Sequence, residues 1–331
     1  MTASTPVISV TGEVTRREPI RMGFGRGLLA AGKQDDRIVA ICADLAESTQ
    51  MHLFRDAFPE RFVEVGVAEQ NLVTVASGMA ATGRIPFTSS YAAFSPGRNW
   101  EQIKTTAALN DRPVKIVGSH AGLNVGPDGA THQMLEDIAL MRVMPNMVVV
   151  APGDSVEAEK ATLALAFNGL PSYLRLARAS TPVFTTDDAA FTLGQAYILR
   201  AGGDVTLAGT GTMTYHLLVA AENLERHGVS AEVVHLPTIK PLDENTLLAS
   251  VAKTGRVVSA EEAQIAGGFG GAIAEFLSER LPTPLLRCGI HDRYGESGDP
   301  DEVLHKFGLT GNQLARRILE FVQRGAGELL G

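Results

Sequence analysis

Residues 62–80, FVEVGVAEQNLVTVASGMA, run from an apolar strand into a helix of small residues and set one carboxylate, Glu69, at the junction. Val63, Val65 and Val67 alternate as a strand with one buried face does. Val73, Ala76, Gly78, Met79 and Ala80 suit a closely packed helix. A carboxylate at such a junction is held by backbone and largely dry. Glutamate in water ionises at about pH 4.3, and desolvation raises that value, which fits the group for sharing a proton with a partner. This segment alone equally allows a plainer reading, in which Glu69 is a first-turn acid favoured by the helix dipole.

The alternation continues outward from this stretch. From Arg37 onward, short apolar runs and helical patterns take turns: RIVAICADL, the Glu69 strand and helix, RIPFTSSY, NWEQIKTTAAL, VKIVGSH, a Gly-rich loop, MLEDIALMRVM, MVVVAP, SVEAEKATLALAF and YLRLAR. Several of the strands are apolar throughout, which indicates a parallel sheet covered on both faces, a doubly wound α/β domain. Residues 179–204 break the rhythm with Thr, Asp, Pro and Gly. A second α/β series then runs from VTLAGTG to TPLLRCGI, and the helix NQLARRILEFVQR follows it. The expected organisation is a lead-in over 1–18, a first domain over 19–185, a linker over 186–203 and a smaller second domain over 204–331.

Composition narrows the function. The chain has 331 residues, 45% hydrophobic and 20% charged, which describes two ordinary globular cores. A net charge of −8 argues against non-specific nucleic-acid binding, so an anionic substrate needs a local basic pocket. No signal peptide or run of some eighteen apolar residues is found, and the expectation is a cytoplasmic chain with no membrane partner. Cys42 and Cys288 lie far apart without metal spacing and read as buried free thiols.

Candidate chemistry gathers after strands. The loop GSHAGLNVGPDGATHQ, residues 118–133, follows an apolar strand, where ligands bind in open α/β sheets, and concentrates His120, Asp128, Thr131 and His132 among glycines. Asp44 and Ser48 follow the strand ICADL. Arg21 opens a helix of small residues, and Arg175 and Arg178 sit in YLRLAR. An Arg in a pocket suits phosphate because its planar fork bonds two oxygens at once. Taken singly, each of these arginines reads better as one half of a surface ion pair. Tyr91, Phe94 and Trp100 cluster after IPFTSS, either to stack on a planar heterocycle or as core aromatics. The turns GTGTM and AGGFGG fit neither a dinucleotide fingerprint nor a P-loop and read as close-packing glycines.

Together, CADLAES, VGVAEQN, YAAF and GPDGATHQ resemble transketolase and its relative deoxyxylulose-phosphate synthase, both thiamine-diphosphate enzymes. The resemblance covers the chain as a pyrimidine-binding domain followed by a transketolase C-terminal domain. It implies that Glu69 hydrogen-bonds the cofactor's aminopyrimidine nitrogen, favouring the imino tautomer that takes the thiazolium proton and creates the ylid. By the same resemblance Phe94 stacks on the pyrimidine with Tyr91 at the same site, and Asp44 matches a further active-site position. His132 resembles the histidine that shuttles protons on the substrate oxygen. Asp128 resembles the contact to a sugar hydroxyl, and Arg21, Ser48, His120 and Arg178 the residues that hold the sugar phosphate. Arg175 and Arg178 compete for that last place.

The departure from the family is equally informative. Transketolase begins with another α/β domain whose GDG…N motif binds magnesium and the diphosphate, and no such motif occurs here. The chain therefore resembles the C-terminal subunit of a split transketolase, with no metal ligands of its own. A separate N-terminal subunit is expected to hold Mg2+ and the diphosphate, in a symmetric assembly such as two copies of each subunit. The implied reaction moves a two-carbon ketol unit from a ketose phosphate to an aldose phosphate. Rival readings are the β subunit of a 2-oxo acid dehydrogenase component, a deoxyxylulose-phosphate synthase-like condensation, and a non-catalytic scaffold paralogue. A 2-oxo acid has no phosphate for the arginine set to hold, and a scaffold has no use for Glu69, Phe94 and His132 together.

Overall fold

A computed structural model describes residues 16–323. Its strands, in chain order, are β1 (Arg17–Pro19), β2 (Ile38–Cys42), β3 (Phe62–Glu64), β4 (Ile85–Tyr91), β5 (Lys115–Ser119), β6 (Val148–Val150), β7 (Ser172–Arg175), β8 (Ser180–Pro182), β9 (Tyr197–Arg200), β10 (Val205–Gly209), β11 (Ala231–His235), β12 (Thr238–Lys240), β13 (Val257–Gln264) and β14 (Leu285–Ile290). A seven-stranded sheet takes the order β12-β6-β7-β5-β4-β2-β3, and a five-stranded sheet the order β14-β13-β10-β11-β9. All pairings within these two sheets are parallel except those of the edge strands β12 and β9.

Burial on both faces explains the apolar runs. Ile41, Ile116, Val149 and Tyr173 face one core, while Ala40, Cys42, Val117, Val150 and Leu174 face the other. Neighbouring residues point opposite ways, yet both faces are covered, so alternation disappears from the sequence. Helices Met213–Glu225 and Gly311–Gln323 pack one face of the second sheet, and Glu244–Thr254 and Phe269–Arg280 pack the other. The architecture is two doubly wound α/β units, the second smaller.

Several expectations change. Val63 and Val65 pack against the core, but β3 ends at Glu64 and Val67 is 71% exposed. Gly66, at φ +72°, turns the backbone out of the extended region and ends the alternation. Gly78 faces open space rather than a tight contact. The lead-in is structured where it is described: Arg17–Pro19 pairs antiparallel with β8, because its backbone groups need partners. The rest of it, residues 1–15, lies outside the described residues. Within the expected linker, β9 pairs with β11, and β12 leaves the second unit to join the edge of the first sheet beside β6.

Tight helix contact sets the position of Arg21. A Cβ at Gly23 would lie 1.8 Å from the Ser155 carbonyl oxygen, so helix Ile20–Gln34 lies directly against helix Ser155–Ala166. Gly209, Gly268 and Gly270 are likewise packed against side chains, and Glu261 accepts the Phe269 and Gly270 N–H groups. The slot at that helix start is thereby filled from within the chain. Burial pushes the Glu261 carboxyl up to about 7. Cys42 and Cys288 are buried free thiols, pushed up to about 12 and about 11 by burial.

A buried ion pair of the first unit also reaches the second. Arg175 Nε and the Tyr173 hydroxyl both donate to Asp137 Oδ2 at 2.8 Å, and Arg175 Nη2 donates to the Glu262 carbonyl at 2.8 Å. Replacing Asp137 with Ala leaves Arg175 charged and dry, so the unfolding free energy is expected to fall by about 3–5 kcal/mol. Urea denaturation measures this, and a negligible change would show that water reaches the pair.

Candidate active site

Parallel strands end on one edge of their sheet, and the candidate residues follow those ends. Asp44 comes after β2, Glu69 after β3, Tyr91 closes β4, His120 follows β5 and Arg178 follows β7. Asp44 and His120 are non-glycine residues at φ 60° and 58°, a conformation that strand ends adopt where function or packing demands it.

Glu69 is the first residue of helix Glu69–Ala81 and only 2% exposed. The dryness expected of it is present; its partners were not foreseen. Arg98 Nη1 donates to Glu69 Oε2 at 2.8 Å, and the Ser90 hydroxyl lies 3.5 Å from Oε1. Buried Asn99 donates from Nδ2 to the Glu69 carbonyl at 2.8 Å, fixing the helix start to the segment that carries Phe94. Arg98 also lies over the Phe94 ring, its guanidinium carbon 4.8 Å from the centroid. Arg98 and Asn99 stand 29 and 30 positions from Glu69. The one sequence signal for them was their place in PGRNW, just after YAAF.

Aromatic rings line the adjoining wall. Tyr91 stacks on His120 with centroids 3.8 Å apart and lies 6.2 Å from Phe94. His132 meets Phe94 edge-on at 5.4 Å, and its Nδ1 is 2.9 Å from the Thr131 hydroxyl. No partner of His132 Nε2 is found among the described residues. Trp100 stands apart from this wall, its indole N–H donating to the Leu140 carbonyl at 2.8 Å.

Beyond Tyr91 the site is cationic. Arg21 Nη1 lies 3.1 Å from His120 Nε2. A guanidinium only donates, so Nε2 accepts, and the His120 proton sits on Nδ1, 2.9 Å from the Ser119 hydroxyl. Burial first, then Arg21 and Arg178, push His120 down to about 3, which keeps the ring neutral. Arg178 Nη1 donates to the Val125 carbonyl at 2.9 Å and completes the cluster. Arg21 Nε is buried without a partner among the described residues, an unpaired donor in this cluster. Arg175 is spent on Asp137 and faces the interior, which separates it from Arg178.

Not every candidate is engaged. Ser48 is half-buried in the turn after β2 and makes no hydrogen bond to Arg21, His120 or Arg178. The Asp44 and Asp128 side chains are exposed; the Asp44 N–H donates to Glu64 Oε1 at 2.8 Å.

The second unit clamps the loop over residues 118–133. Glu262 accepts from the Asn124 N–H and the Thr212 hydroxyl, and Gln133 Nε2 donates to the Glu296 carbonyl at 2.9 Å. A Cβ at Gly122 would lie 2.6 Å from Glu262 Oε1, and one at Gly129 would lie 2.3 Å from Ser297 Oγ. Both glycines have positive φ, so a side chain there meets strain as well as collision.

Comparison with known proteins places this arrangement. Residues 19–183 match the family description "Transketolase, pyrimidine binding domain", and residues 194–314 match "Transketolase, C-terminal domain". A 6-deoxy-6-sulfo-D-fructose transketolase subunit from Clostridium sp. is 42% identical, covering 90% of this chain and 92% of its own length. One of the subunits of an apulose-4-phosphate transketolase from Phocaeicola vulgatus is 35% identical over 92% of this chain and 97% of its own. A solved split-gene transketolase, described as an inactive β4 tetramer, superposes with a TM-score of 0.86 at 40% identity, covering 92% of this chain and 99% of its own. The chain belongs to the transketolase family. Within it, the chain is a C-terminal subunit of the split kind.

Among the described residues no helix is long and apolar enough to cross a membrane, and no three His, Cys, Asp or Glu side chains are grouped to hold a metal ion. His120 is expected to remain one neutral tautomer from about pH 8 to about pH 4, since its folded value lies far below the usual histidine range. Imidazole 15N chemical shifts report this. A protonation midpoint at about 6.5 would show that the ring is wet and that Arg21 does not hold it.

Proposed function

We propose that this chain is the C-terminal subunit of a thiamine-diphosphate-dependent transketolase that moves a two-carbon ketol unit from a ketose phosphate to an aldose phosphate in the cytoplasm. The observation that carries the reading is the buried Glu69 carboxylate at a helix start, linked through Arg98 to the ring of Phe94. Phe94 and Tyr91 would hold a flat aminopyrimidine by its face, and Glu69 would share a proton with it. When bound, the cofactor would supply the nucleophilic carbon that adds to the ketose carbonyl, so that the adjoining carbon–carbon bond can break.

This chain's residues then have distinct tasks. Glu69 holds a proton at the pyrimidine nitrogen. His132, its Nε2 without a partner among the described residues, gives and takes protons at the substrate oxygen, and Asp128 and Asp44 bond sugar hydroxyls or cofactor at the rim. Arg21, neutral His120 and Arg178, with Ser48 at the edge, hold the anionic end of the sugar. The names of the two relatives carry a sulfonate and a phosphate, so an anionic terminus is the common demand such a pocket meets. A 2-oxo acid has no phosphate or sulfonate for these residues to hold.

Mg2+ and the diphosphate fall to a separate N-terminal subunit, a reading supported by the subunit and split-gene relatives that this chain matches over nearly their whole length. The cofactor then lies between chains, in an assembly with two copies of each subunit. With xylulose 5-phosphate and ribose 5-phosphate, turnover is expected only when the partner, thiamine diphosphate and magnesium are all present, and Glu69→Ala is expected to abolish it. Turnover by the purified chain alone would overturn the split-subunit reading; a fully active Glu69→Ala complex would remove the cofactor role of Glu69.

Arg178→Ala is expected to raise KM for phosphorylated substrates about 10- to 100-fold, the loss of a charge-assisted hydrogen bond, with little effect on kcat. Unphosphorylated ketoses serve as the control. An equal change for both would show that Arg178 does not meet the phosphate.

A further inference from the structure

The wedge between Phe94 and Glu69 is filled by the guanidinium of Arg98, 4.8 Å from the ring centroid and 2.8 Å from Glu69 Oε2. A guanidinium is flat, delocalised and fringed with N–H donors. It makes the two contacts that the function proposed above assigns to the aminopyrimidine: a face laid on Phe94 and an N–H directed at the carboxylate.

We propose that Arg98 is an internal stand-in for the pyrimidine ring, occupying its seat in the cofactor-free chain and swinging out when the cofactor enters. The inference rests on the cofactor reading of Glu69. It also accounts for how the empty chain tolerates that residue. A carboxylate 2% exposed needs a cation or several donors, and without Arg98 its side chain has, among the described residues, only the Ser90 hydroxyl, at 3.5 Å.

The geometry favours exchange over permanent closure. The Arg98 side chain is 50% exposed and makes no other hydrogen bond among the described residues. The following residue, Asn99, is buried and ties the backbone to Glu69 and to Ser95 Oγ, so the side chain moves while the main chain stays. A half-exposed ion pair with a ring contact is a weak hold, enough to occupy the seat and too little to exclude a ligand anchored elsewhere by its diphosphate. Any hold on the empty site lowers the apparent affinity by the fraction of chains that are open.

The test is calorimetric and stopped-flow titration of thiamine diphosphate, with magnesium, into the chain assembled with its diphosphate-binding partner. Wild type, Arg98→Ala and Arg98→Lys are compared. Arg98→Ala is expected to tighten binding about tenfold, entirely through faster association, with the dissociation rate unchanged. Arg98→Lys keeps the charge without the planar fork and is expected to fall between, which preserves the test if the alanine variant melts early by circular dichroism. Unchanged affinity in both variants would overturn the stand-in. Weaker binding through faster dissociation would also overturn it, making Arg98 a contact of the bound cofactor. Both results leave the cofactor reading intact. Absence of binding by wild type and variants alike would overturn the cofactor reading and the stand-in with it.

Discussion

Parallel pairing is the constraint on which the rest of this structure depends. When strands run the same way, every chain segment leaves the sheet at the same edge, and side chains far apart in sequence meet there without special folding. Asp44, Glu69, Tyr91, His120 and Arg178 follow successive exits of one seven-stranded sheet. The helices that return the chain supply the other half of the arrangement. Arg21 reaches His120 because the glycines of its own helix let it lie against helix Ser155–Ala166.

Much of the fold was legible because burial leaves a strong signature. Strands covered on both faces read as apolar runs, and residues 38–42 and 148–150 show it. Glu69 was legible because a carboxylate stands out at a strand-to-helix junction, and the loop over 118–133 because glycine and histidine collect there. What escaped depends on contacts between distant segments. Arg98 looks like any loop arginine until Glu69 is brought beside it. Val67 matches Val63 and Val65 in type, and only the turn at Gly66 removes it from the strand. Arg175 and Arg178 could not be told apart by composition; the partner Asp137, 38 residues earlier, settles which one faces inward.

Charge taken into the interior is answered at each of three further places. Arg175 meets Asp137, His235 Nε2 lies 2.8 Å from Glu157, and Lys115 ends on the Asn168 side chain and the Leu170 carbonyl, both at 2.6 Å. Two of these ties, Arg175 to the Glu262 carbonyl and Glu157 to His235, run between the two units, beside the Glu262 clamp on the loop over 118–133. Separating the units would strand several of these groups at once, so the second unit acts as a rigid backing for a loop that would otherwise be free. That gives the smaller unit a part in shaping the candidate site.

The excursion of Thr238–Lys240 into the first sheet has a consequence for how this polypeptide can be divided. With that strand in place, the outer edge of β6 is capped by three residues that belong, by sequence, to the other half. Cutting between the halves would expose a short run of valines with open backbone donors and acceptors, an invitation to edge-to-edge aggregation. The two halves are therefore interleaved through a shared sheet edge, and a cut between them takes a strand from the first sheet.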